Sequence, residues 1–501
     1  MVILQGGDLS LSLLEEILRA RKPIGLGSQA RERVARARQW VETAALGELP
    51  IYGVNTGFGV LARERIPLEE RIRLQRNLIL SHAVGVGEPL PDEVVRLMLL
   101  IKINSLALGY SGVRLETLDR LIAMYNADLL PVVPSRGSVG ASGDLAPLAH
   151  LVLPLIGEGL LKDSGRLRPA GEVLRERGWE PLELGAKEGL ALINGTQLMS
   201  ACGAWAMLRA RRLLPAADLV LAMSLEALQG SAQPFDARLH QVRPHPGAAV
   251  VAENVRRLLQ ESEILEAHRL CGKVQDPYCL RCAPQVHGAS RDALAYVERT
   301  IETEINSATD NPLLFDEQTI LSGGNFHGQP LAIALDLAAI ALAELASISE
   351  RRLYLLLEGG DGLPRLLMRN TGVNSGFMLL QYTAAALVSE NKVLSHPASV
   401  DSIPTSLGQE DHVSMGSISA LKLLRVLENT ETVLALELIA AAQALDYRMP
   451  LLPGKGVRRA HELVRRFIPH VEEDRLWTED IHRALELIRS GALLEAEPGL
   501  R

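Results

Sequence analysis

The sequence predicts a mainly α-helical protein with a smaller N-terminal domain followed by a bundle of long helices. Alanine and leucine are abundant, whereas aromatic residues make up only 4% of the 501 residues, and this composition favours helix over sheet. Three stretches, at about 196–228, 326–358 and 409–446, predict helices several times longer than the typical ~11 residues. The change from short elements to long helices predicts two domains, 1–195 and 196–501.

The N-terminal domain is predicted to contain several shorter helices joined by turns. Amphipathic patterns indicate two helices within residues 9–46, the second running from about residue 30 to residue 46. Helical patterns follow at 68–80 and 92–108. Residues 158–190 are rich in turn-forming residues and are expected to contain a small hairpin. These elements precede the long helices and surround the loops that contain the chemically informative residues.

The long helices predict that the protein assembles with copies of itself. Each would span roughly 45–55 Å at ~1.5 Å per residue, and one subunit can hardly cover such rods on all sides. The last of them carries a broad apolar face, formed by Val433, Leu434, Leu436, Leu438, Ile439 and Leu445. We therefore expect a helical bundle shared between subunits.

Charge and the N-terminus argue against several classes of partner. The formal net charge of −8 gives no reason to expect binding to nucleic acid or to an anionic membrane. The N-terminus lacks a basic region followed by a long apolar run, so we expect no signal peptide and a cytoplasmic location. The most apolar helix, at about 331–357, contains Asp336, Glu344 and Glu350, so we expect no membrane span.

The cysteines and histidines give no pattern typical of a metal site. Four cysteines are too few for a disulfide scaffold in a chain of this length: Cys202, Cys271, Cys279 and Cys282. The last two have C-x-x-C spacing, which is also found in redox motifs and in half of a zinc site, but no second pair accompanies them. There is no H-E-x-x-H motif. We therefore expect no metal.

The glycine-rich stretch 137–150, which reads GSVGASGDLAPLAH, is expected to fold back tightly on itself. Such a turn makes it sterically possible for the amide nitrogen of Gly143 to approach the carbonyl carbon of Ala141. The simpler alternative is an ordinary loop before a helix, with Asp144 as the helix cap.

Two further stretches contain candidate site residues. The glycine-rich loop 50–59 contains Tyr52, which could act as a base only if positive charge or hydrogen bonds lower its pKa from about 10. The stretch 275–281 offers a planar guanidinium donor in Arg281, with Tyr278 one turn away, and such a fork suits a carboxylate. A loop tyrosine and a surface arginine without catalytic function are the alternatives.

Residues 137–150 closely resemble the signature of the histidine and aromatic amino-acid ammonia-lyases. In that family the tripeptide matching Ala141, Ser142 and Gly143 cyclises to 4-methylidene-imidazol-5-one (MIO), and neither a metal nor pyridoxal phosphate is implied. The resemblance thus implies that the Gly143 nitrogen bonds to the Ala141 carbonyl carbon to close a five-membered ring, and that Ser142 loses its hydroxyl as water to become a methylene group conjugated to the ring. The resemblance extends over at least residues 51–416 through five separate motifs. It implies the mostly helical fold shared with aspartase and fumarase, and a homotetramer whose sites are each built from three subunits.

The same resemblance implies roles for individual residues. Tyr52 matches the base that removes the β-proton of the amino acid. Asn194 matches the residue that holds the substrate carboxylate and the cofactor carbonyl. The motif around Gln275, Tyr278 and Arg281 matches the segment that binds the carboxylate and helps to orient the cofactor.

The segments that match the family's specificity positions resemble those of its histidine-specific members. His82 and Glu410 can hydrogen-bond an imidazole, and a carboxylate would be costly beside a phenyl ring. Met378 matches a pocket wall, and Phe326 is expected to pack against cofactor and substrate. The implied reaction converts L-histidine to trans-urocanate and ammonia. It is open whether Tyr52 or Glu410 is the base. Another amino-acid substrate, an aminomutase activity or a non-catalytic scaffold remain alternatives.

Overall fold

The computed structural model describes residues 1–269 and 272–501, and over these residues the protein is mainly α-helical, as predicted. Cys271 lies outside the described residues. The chain forms two compact units, each assembled from separate segments. The first unit consists of 1–205, 298–336 and 397–421, and the second consists of 206–297, 337–396 and 422–501.

The first unit contains the shorter helices expected near the N-terminus. Ser10 caps the first of them, because its side chain accepts a hydrogen bond from the backbone N–H of Leu13. In the fourth helix every residue from Val94 to Ala107 is buried. The helices that lie wholly within this unit are Leu11–Arg19, Ser28–Leu46, Arg71–His82, Asp92–Ala107, Leu115–Asn126, Leu145–Val152, Ala170–Glu176 and Glu188–Ile193. Three short 3₁₀ turns occur at Gly59–Leu61, Leu68–Glu70 and Leu153–Ile156, and a fourth at Ser406–Gly408.

The strands that the structure describes are short and belong to the first unit. Val2–Leu4 pairs in parallel with Ile24–Leu26. The hairpin expected within 158–190 is present, with Leu160–Asp163 antiparallel to Arg166–Pro169. The remaining strands are Val86–Pro89 with Pro134–Arg136, Leu130–Pro131 with the hairpin, and Leu313–Leu314 with Ile320–Leu321.

The three predicted long helices are present as Gln197–Ala227, Gln329–Glu358 and Gly416–Asp446. The third begins seven residues later than expected, because Met415 adopts a positive φ angle that a right-handed helix cannot contain. A fourth long helix, Ala283–Glu304, was not predicted.

The two units do not coincide with the predicted domains 1–195 and 196–501. The first break between units falls at residue 205, inside a long helix, and residues 298–336 and 397–421 belong to the first unit. The sequence argument placed the boundary where the elements lengthen. It could not detect that later segments return to the first unit, because such contacts are distant in sequence.

The second unit is helical throughout its described part. Its core contains a buried ion pair between Arg352 and Glu437, both 0% exposed, with Nε and Nη2 of the arginine 2.6 and 2.9 Å from the two carboxylate oxygens. Its shorter helices are Ala237–Val242, Pro246–Leu258, Glu263–Ala267, Tyr278–Arg281, Met378–Leu394, Lys455–Phe467, Thr478–Ser490 and Ala492–Ala496, with 3₁₀ turns at Gln233–Phe235 and Arg365–Leu367.

The helix Gln329–Glu358 is long and apolar enough to cross a membrane when only length and composition are considered. The expectation that its acidic residues would rule this out was therefore too strong. However, 67% of its most apolar 18-residue stretch is buried within the protein. This burial is typical of a core helix.

Candidate active site

A cavity of about 1030 Å³ lies within the first unit. Loops form much of its wall, and they come from parts of the chain that are far apart in sequence. Of the residues predicted to be functional, the cavity is lined by Tyr52, His82, Ala141, Ser142, Asn194, Phe326 and Glu410. The structure therefore brings together residues from six separate stretches of the sequence in one pocket.

The loop at 140–143 makes the tight turn that its glycines predicted. Gly140 and Gly143 have φ angles of +66° and +74°, in the left-handed region that favours glycine. A Cβ on Gly143 would lie 2.0 Å from the carbonyl oxygen of Gly195, so no other residue fits there without moving the backbone. Gly143 and Gly195 form an isolated parallel bridge. The tripeptide is thus bent against the segment that follows Asn194.

Asn194 and Asp144 fix the loop from both sides of the tripeptide. The side-chain amide of Asn194 donates a hydrogen bond to the carbonyl oxygen of Ser142 at 2.7 Å. The N–H of Asp144 donates to the carbonyl oxygen of Gly195, also at 2.7 Å. These bonds set the orientation of the peptide groups on which the predicted cyclisation depends.

Asp144 does cap a helix, but not the one expected. Its carboxylate accepts hydrogen bonds at 3.0 and 3.1 Å from the backbone N–H groups of Leu198 and Met199, in the first turn of helix Gln197–Ala227. It makes no capping bond to its own helix, Leu145–Val152. Burial raises the pKa of Asp144 to about 7, against the opposing effect of these N–H groups.

Glu410 reaches the tripeptide directly. The Ser142 hydroxyl donates to Oε1 of Glu410 at 2.7 Å, and the Thr405 hydroxyl donates to Oε2 at 2.6 Å. Thr405 and Glu410 also form a backbone bridge that closes the turn between them. Both carboxylate oxygens are therefore fixed, and one of them faces the serine that the predicted cyclisation would dehydrate.

Tyr52 lies in the cavity wall with its ring edge-on to Phe58, at 6.4 Å between ring centroids. Its hydroxyl oxygen accepts a hydrogen bond from the N–H of Gly59 at 3.1 Å. Burial raises the pKa of Tyr52, the Gly59 N–H opposes this rise, and the negative charge of Glu410 adds to it. Positive charge or hydrogen bonds were expected to lower this pKa. The Gly59 N–H is such a hydrogen bond, whereas no lysine or arginine is among the described residues that line the cavity.

His82 ends helix Arg71–His82 and is held in one tautomer. Its Nδ1 lies 2.8 Å from the carbonyl oxygen of Leu78, so Nδ1 carries the proton and donates it. Burial lowers the pKa of His82, and the Leu78 bond and Glu410 oppose this change. In the neutral ring Nε2 is then the acceptor nitrogen, suited to an N–H group of a ligand.

Of the other predicted residues, Gly143 belongs to the loop described above, and four lie in the second unit: Gln275, Tyr278, Arg281 and Met378. None of these five is part of the lining of this cavity. The guanidinium of Arg281 lies 4.4 Å from the centroid of the Tyr278 ring, and its Nε donates to the carbonyl oxygen of Asp276 at 2.9 Å. Tyr278 is 68% exposed, and Gln275 is exposed as well. Met378 is the first residue of helix Met378–Leu394. Their predicted roles remain predictions.

Several residues in or directly behind the site were not predicted from the sequence. Thr405 was overlooked, although a threonine and a glycine shortly before Glu410 indicate a turn. Lys102 was overlooked too, although a lysine within an otherwise apolar stretch is an informative signal. His327 and His412 line the cavity with their rings parallel at 6.1 Å, and nothing in their sequence spacing indicated this.

A model of the family described as aromatic amino acid lyase matches residues 9–466. The chain belongs to this family.

Members of the aromatic amino acid lyase family resemble the chain over nearly its whole length. The histidine ammonia-lyase of Myxococcus xanthus is 53% identical over 497 residues, covering 99% of this chain and 98% of the relative. The crystal structure of histidine ammonia-lyase from Trypanosoma cruzi has a TM-score of 0.91 at 45% identity, covering 99% of this chain and 94% of that one. Tyrosine aminomutase from Streptomyces globisporus has a TM-score of 0.93 at 37% identity, with both chains covered completely. The mainly α fold class is therefore confirmed.

Proposed function

We propose that the protein catalyses the non-oxidative deamination of L-histidine to trans-urocanate and ammonia, as a carbon–nitrogen lyase. The observation that carries the proposal is the cavity in which Ser142, Asn194 and Glu410 are joined by hydrogen bonds at 2.7 Å, with Tyr52 and His82 in the same wall. The names of the relatives in Myxococcus xanthus and Trypanosoma cruzi support the choice of reaction.

The residues of the loop fit an MIO group formed from Ala141, Ser142 and Gly143. Gly143 has the backbone conformation and the lack of a side chain that ring closure needs, since a Cβ there would meet Gly195 at 2.0 Å. Asn194 would hold the carbonyl of the ring through its bond to the Ser142 oxygen. When formed, the group supplies an electron-poor alkene that makes the substrate's amino group a better leaving group.

The preference for histidine rests on His82 and Glu410. A neutral imidazole carries one N–H donor and one acceptor nitrogen, and either the acceptor Nε2 of His82 or the carboxylate of Glu410 can accept from that N–H. A phenyl ring offers no donor to either group, so the half-buried Glu410 carboxylate would lose hydration to this ring without a new hydrogen bond. This mismatch disfavours phenylalanine as the substrate.

The substrate carboxylate is assigned to Arg281, Tyr278 and Gln275, contributed by a second copy of the chain. Tyr278 and Gln275 are exposed in the second unit, and this leaves them available to another subunit. Large apolar side chains are exposed along two helices of this unit, which favours an assembly that covers them: Ile340 and Tyr354 on one, and Leu379, Tyr382 and Val393 on the other. We propose a homotetramer, in the cytoplasm, with Met378 and Phe326 packing around the substrate.

Proton removal is assigned to Tyr52 or Glu410. The hydroxyl of Tyr52 is oriented by the Gly59 N–H but needs positive charge nearby to ionise, because burial raises its pKa. An arginine from a second copy would supply such charge. Glu410 is the alternative, and if Tyr52 acts as the base, Glu410 is left to bind the imidazole.

The test is to mix the purified protein with L-histidine and to follow the absorbance of urocanate. Intact-mass measurement of the same sample should show a chain lighter by two water molecules. A panel of histidine, tyrosine and phenylalanine, with analysis of β-amino acid products, separates the lyase from an aminomutase such as the one in Streptomyces globisporus. A folded chain at full mass and without activity would identify a scaffold.

We expect activity to survive removal of metals by a chelator. Among the described residues no group of three His, Cys, Asp or Glu side chains could hold a metal ion.

A further inference from the structure

Lys102 is a buried lysine that lies directly behind the site. It occupies the middle of helix Asp92–Ala107 and is 1% exposed. Its Nζ donates hydrogen bonds to the carbonyl oxygens of Ala191 at 3.0 Å and Asn194 at 2.9 Å. These two carbonyls belong to the C-terminal end of helix Glu188–Ile193, where helix carbonyls have no partner within the helix. The lysine thus fixes the end of this helix and the bend that follows it.

Burying the charged amine of Lys102 in this position costs free energy. Burial lowers the pKa of Lys102 to about 7, although the charges of Asp310 and Asp144 oppose the change. An apolar side chain of similar length would pack among the buried neighbours without this cost. Packing of the helix alone therefore does not account for a lysine here.

The segment that Lys102 holds is the one against which the tripeptide is bent. The Asn194 side chain donates to the Ser142 carbonyl, and the Gly195 carbonyl accepts from the N–H of Asp144, both at 2.7 Å. A shift of the Asn194 backbone would move both of these bonds, because one starts from its side chain and the other from the next residue. The geometry of the turn at Gly143 therefore depends on where Lys102 holds the chain.

We propose that Lys102 is a positioning residue for the conversion of Ala141-Ser142-Gly143 into the MIO group. This inference rests on the proposed function, and it adds a residue that touches neither the tripeptide nor the cavity. Without the amine, the carbonyls of Ala191 and Asn194 lose their donor and the segment 194–195 relaxes. The tripeptide is then held less often in the bent conformation that ring closure requires.

The test compares Lys102→Met with Lys187→Met. Lys187 is a matched control, because it is equally buried in the same unit and its Nζ contacts Asp310 at 2.8 Å and the Ser111 carbonyl at 3.0 Å, not the site. Each variant is purified rapidly, and its intact mass is followed over time on the folded fraction isolated by size exclusion. We expect loss of the two waters to be slowed at least about tenfold in Lys102→Met. In Lys187→Met it should proceed at the wild-type rate, even where the melting temperature falls by a similar amount.

Water loss at the wild-type rate in folded Lys102→Met would overturn the proposal, and so would equal slowing in both variants. If Lys102→Met does not fold, Lys102→Gln replaces it. Its shorter side chain cannot reach both carbonyls, so an unchanged rate in that variant overturns the proposal as well. The wild-type protein separates this outcome from failure of the proposed function, since a wild-type chain that never loses two waters contradicts the function itself.

Discussion

Gly143 is the single residue at which the local backbone and the proposed chemistry constrain each other most closely. Its positive φ angle and its approach to the Gly195 carbonyl both exclude a side chain. Gly165, in the turn of the hairpin, has nearly the same φ angle, +79° against +74°, but a Cβ there would have nothing within 4 Å. Comparing the same substitution at Gly143 and Gly165 therefore distinguishes the effect of backbone strain from the effect of steric exclusion at the site.

We predict that Gly143→Ala prevents loss of the two waters, whereas Gly165→Ala leaves it intact. Both changes should cost about 1–2 kcal/mol through strain of a left-handed alanine, but only the first also displaces Gly195. Intact mass and thermal melting of the two purified variants measure these effects. Full water loss in a folded Gly143→Ala protein would contradict the steric argument.

Thr405 determines where the Glu410 carboxylate lies. We predict that Thr405→Val lowers kcat for histidine deamination by about tenfold or more, because a hydrogen bond to a charged group is worth ~1.5–3 kcal/mol. Thr405→Ser, which keeps the hydroxyl, should restore most of the rate. Thr303→Val is the control, since its hydroxyl donates to the Arg299 carbonyl on an exposed helix face and Thr303 is not part of the cavity lining. Equal rates in Thr405→Val and the wild type would mean that Glu410 needs no such support.

Tyr52 can be tested through pH, because the sign of its pKa shift is known. A tyrosine base is active when ionised, and burial and Glu410 raise its pKa, so kcat/KM should still rise with pH above neutrality. We predict that Tyr52→Phe lowers kcat far more than it raises KM and removes this alkaline rise. An unchanged kcat would remove Tyr52 from the role of base and leave Glu410.

The residues of the site could be predicted from the sequence more completely than the hydrogen bonds between them. Seven of the predicted residues line one cavity. They could be predicted because their motifs are recognisable in the sequence alone. Two contacts could not be predicted: the hydrogen bond from Thr405 to Glu410, and the capping of helix Gln197–Ala227 by Asp144. Each depends on how the loops of the folded chain are arranged. The direction of the Tyr52 pKa shift depends on burial, which is also a property of the folded chain.

At the level of elements, the long helices were predictable and their connections were not. Helices near 196–228 and 326–358 appear within three residues of the expected ends, because long amphipathic patterns are strong signals. The start of Gly416–Asp446 was predicted too early, since the left-handed backbone at Met415 has no sequence signature in a non-glycine residue.

Glu226 joins three helices of the second unit through a buried carboxylate. It lies in the last turn of Gln197–Ala227, and its oxygens accept from the Ser262 hydroxyl and from the Gly454 N–H at 2.9 and 3.1 Å. Those two residues precede helices Glu263–Ala267 and Lys455–Phe467. Burial raises the pKa of Glu226 from 4.5 to about 7, although these hydrogen bonds act to lower the pKa.

This shift predicts a pH dependence of stability with a definite sign. Between pH 4.5 and 7 the folded chain keeps a proton that the unfolded chain releases, so the stabilisation is complete below about pH 4.5 and is lost as pH rises through 7. We predict that Glu226→Gln removes this contribution, of about 3 kcal/mol at most. Its melting temperature relative to wild type should then increase from pH 4.5 to 7.5. The exposed Glu317→Gln is the control, and a difference that does not change with pH would contradict the prediction.

At the level of the whole molecule, the proposed chemistry divides between two parts of the chain. Ala141, Ser142 and their partners line a cavity of the first unit, whereas Arg281 and Tyr278 belong to the second unit, where Tyr278 is exposed. If Arg281 acts in the site of another copy, then a copy defective at Ser142 and a copy defective at Arg281 can together form intact sites. Two defects that affect the same cavity cannot be complemented in this way, because every cavity in a mixed assembly still carries one of them.

We therefore predict that co-expressed Ser142→Ala and Arg281→Met chains, each inactive alone, regain activity when they assemble together. With equal amounts and random mixing, half of the serines and half of the arginines are intact, so about one quarter of the sites should be complete. Ser142→Ala with Tyr52→Phe is the control, because both defects lie in one first-unit cavity and no mixed site is intact. Different affinity tags on the two chains isolate the mixed assemblies, and native mass spectrometry counts their subunits. Mixed assemblies without activity would place the carboxylate-binding arginine in the same copy as the tripeptide, or outside the site altogether.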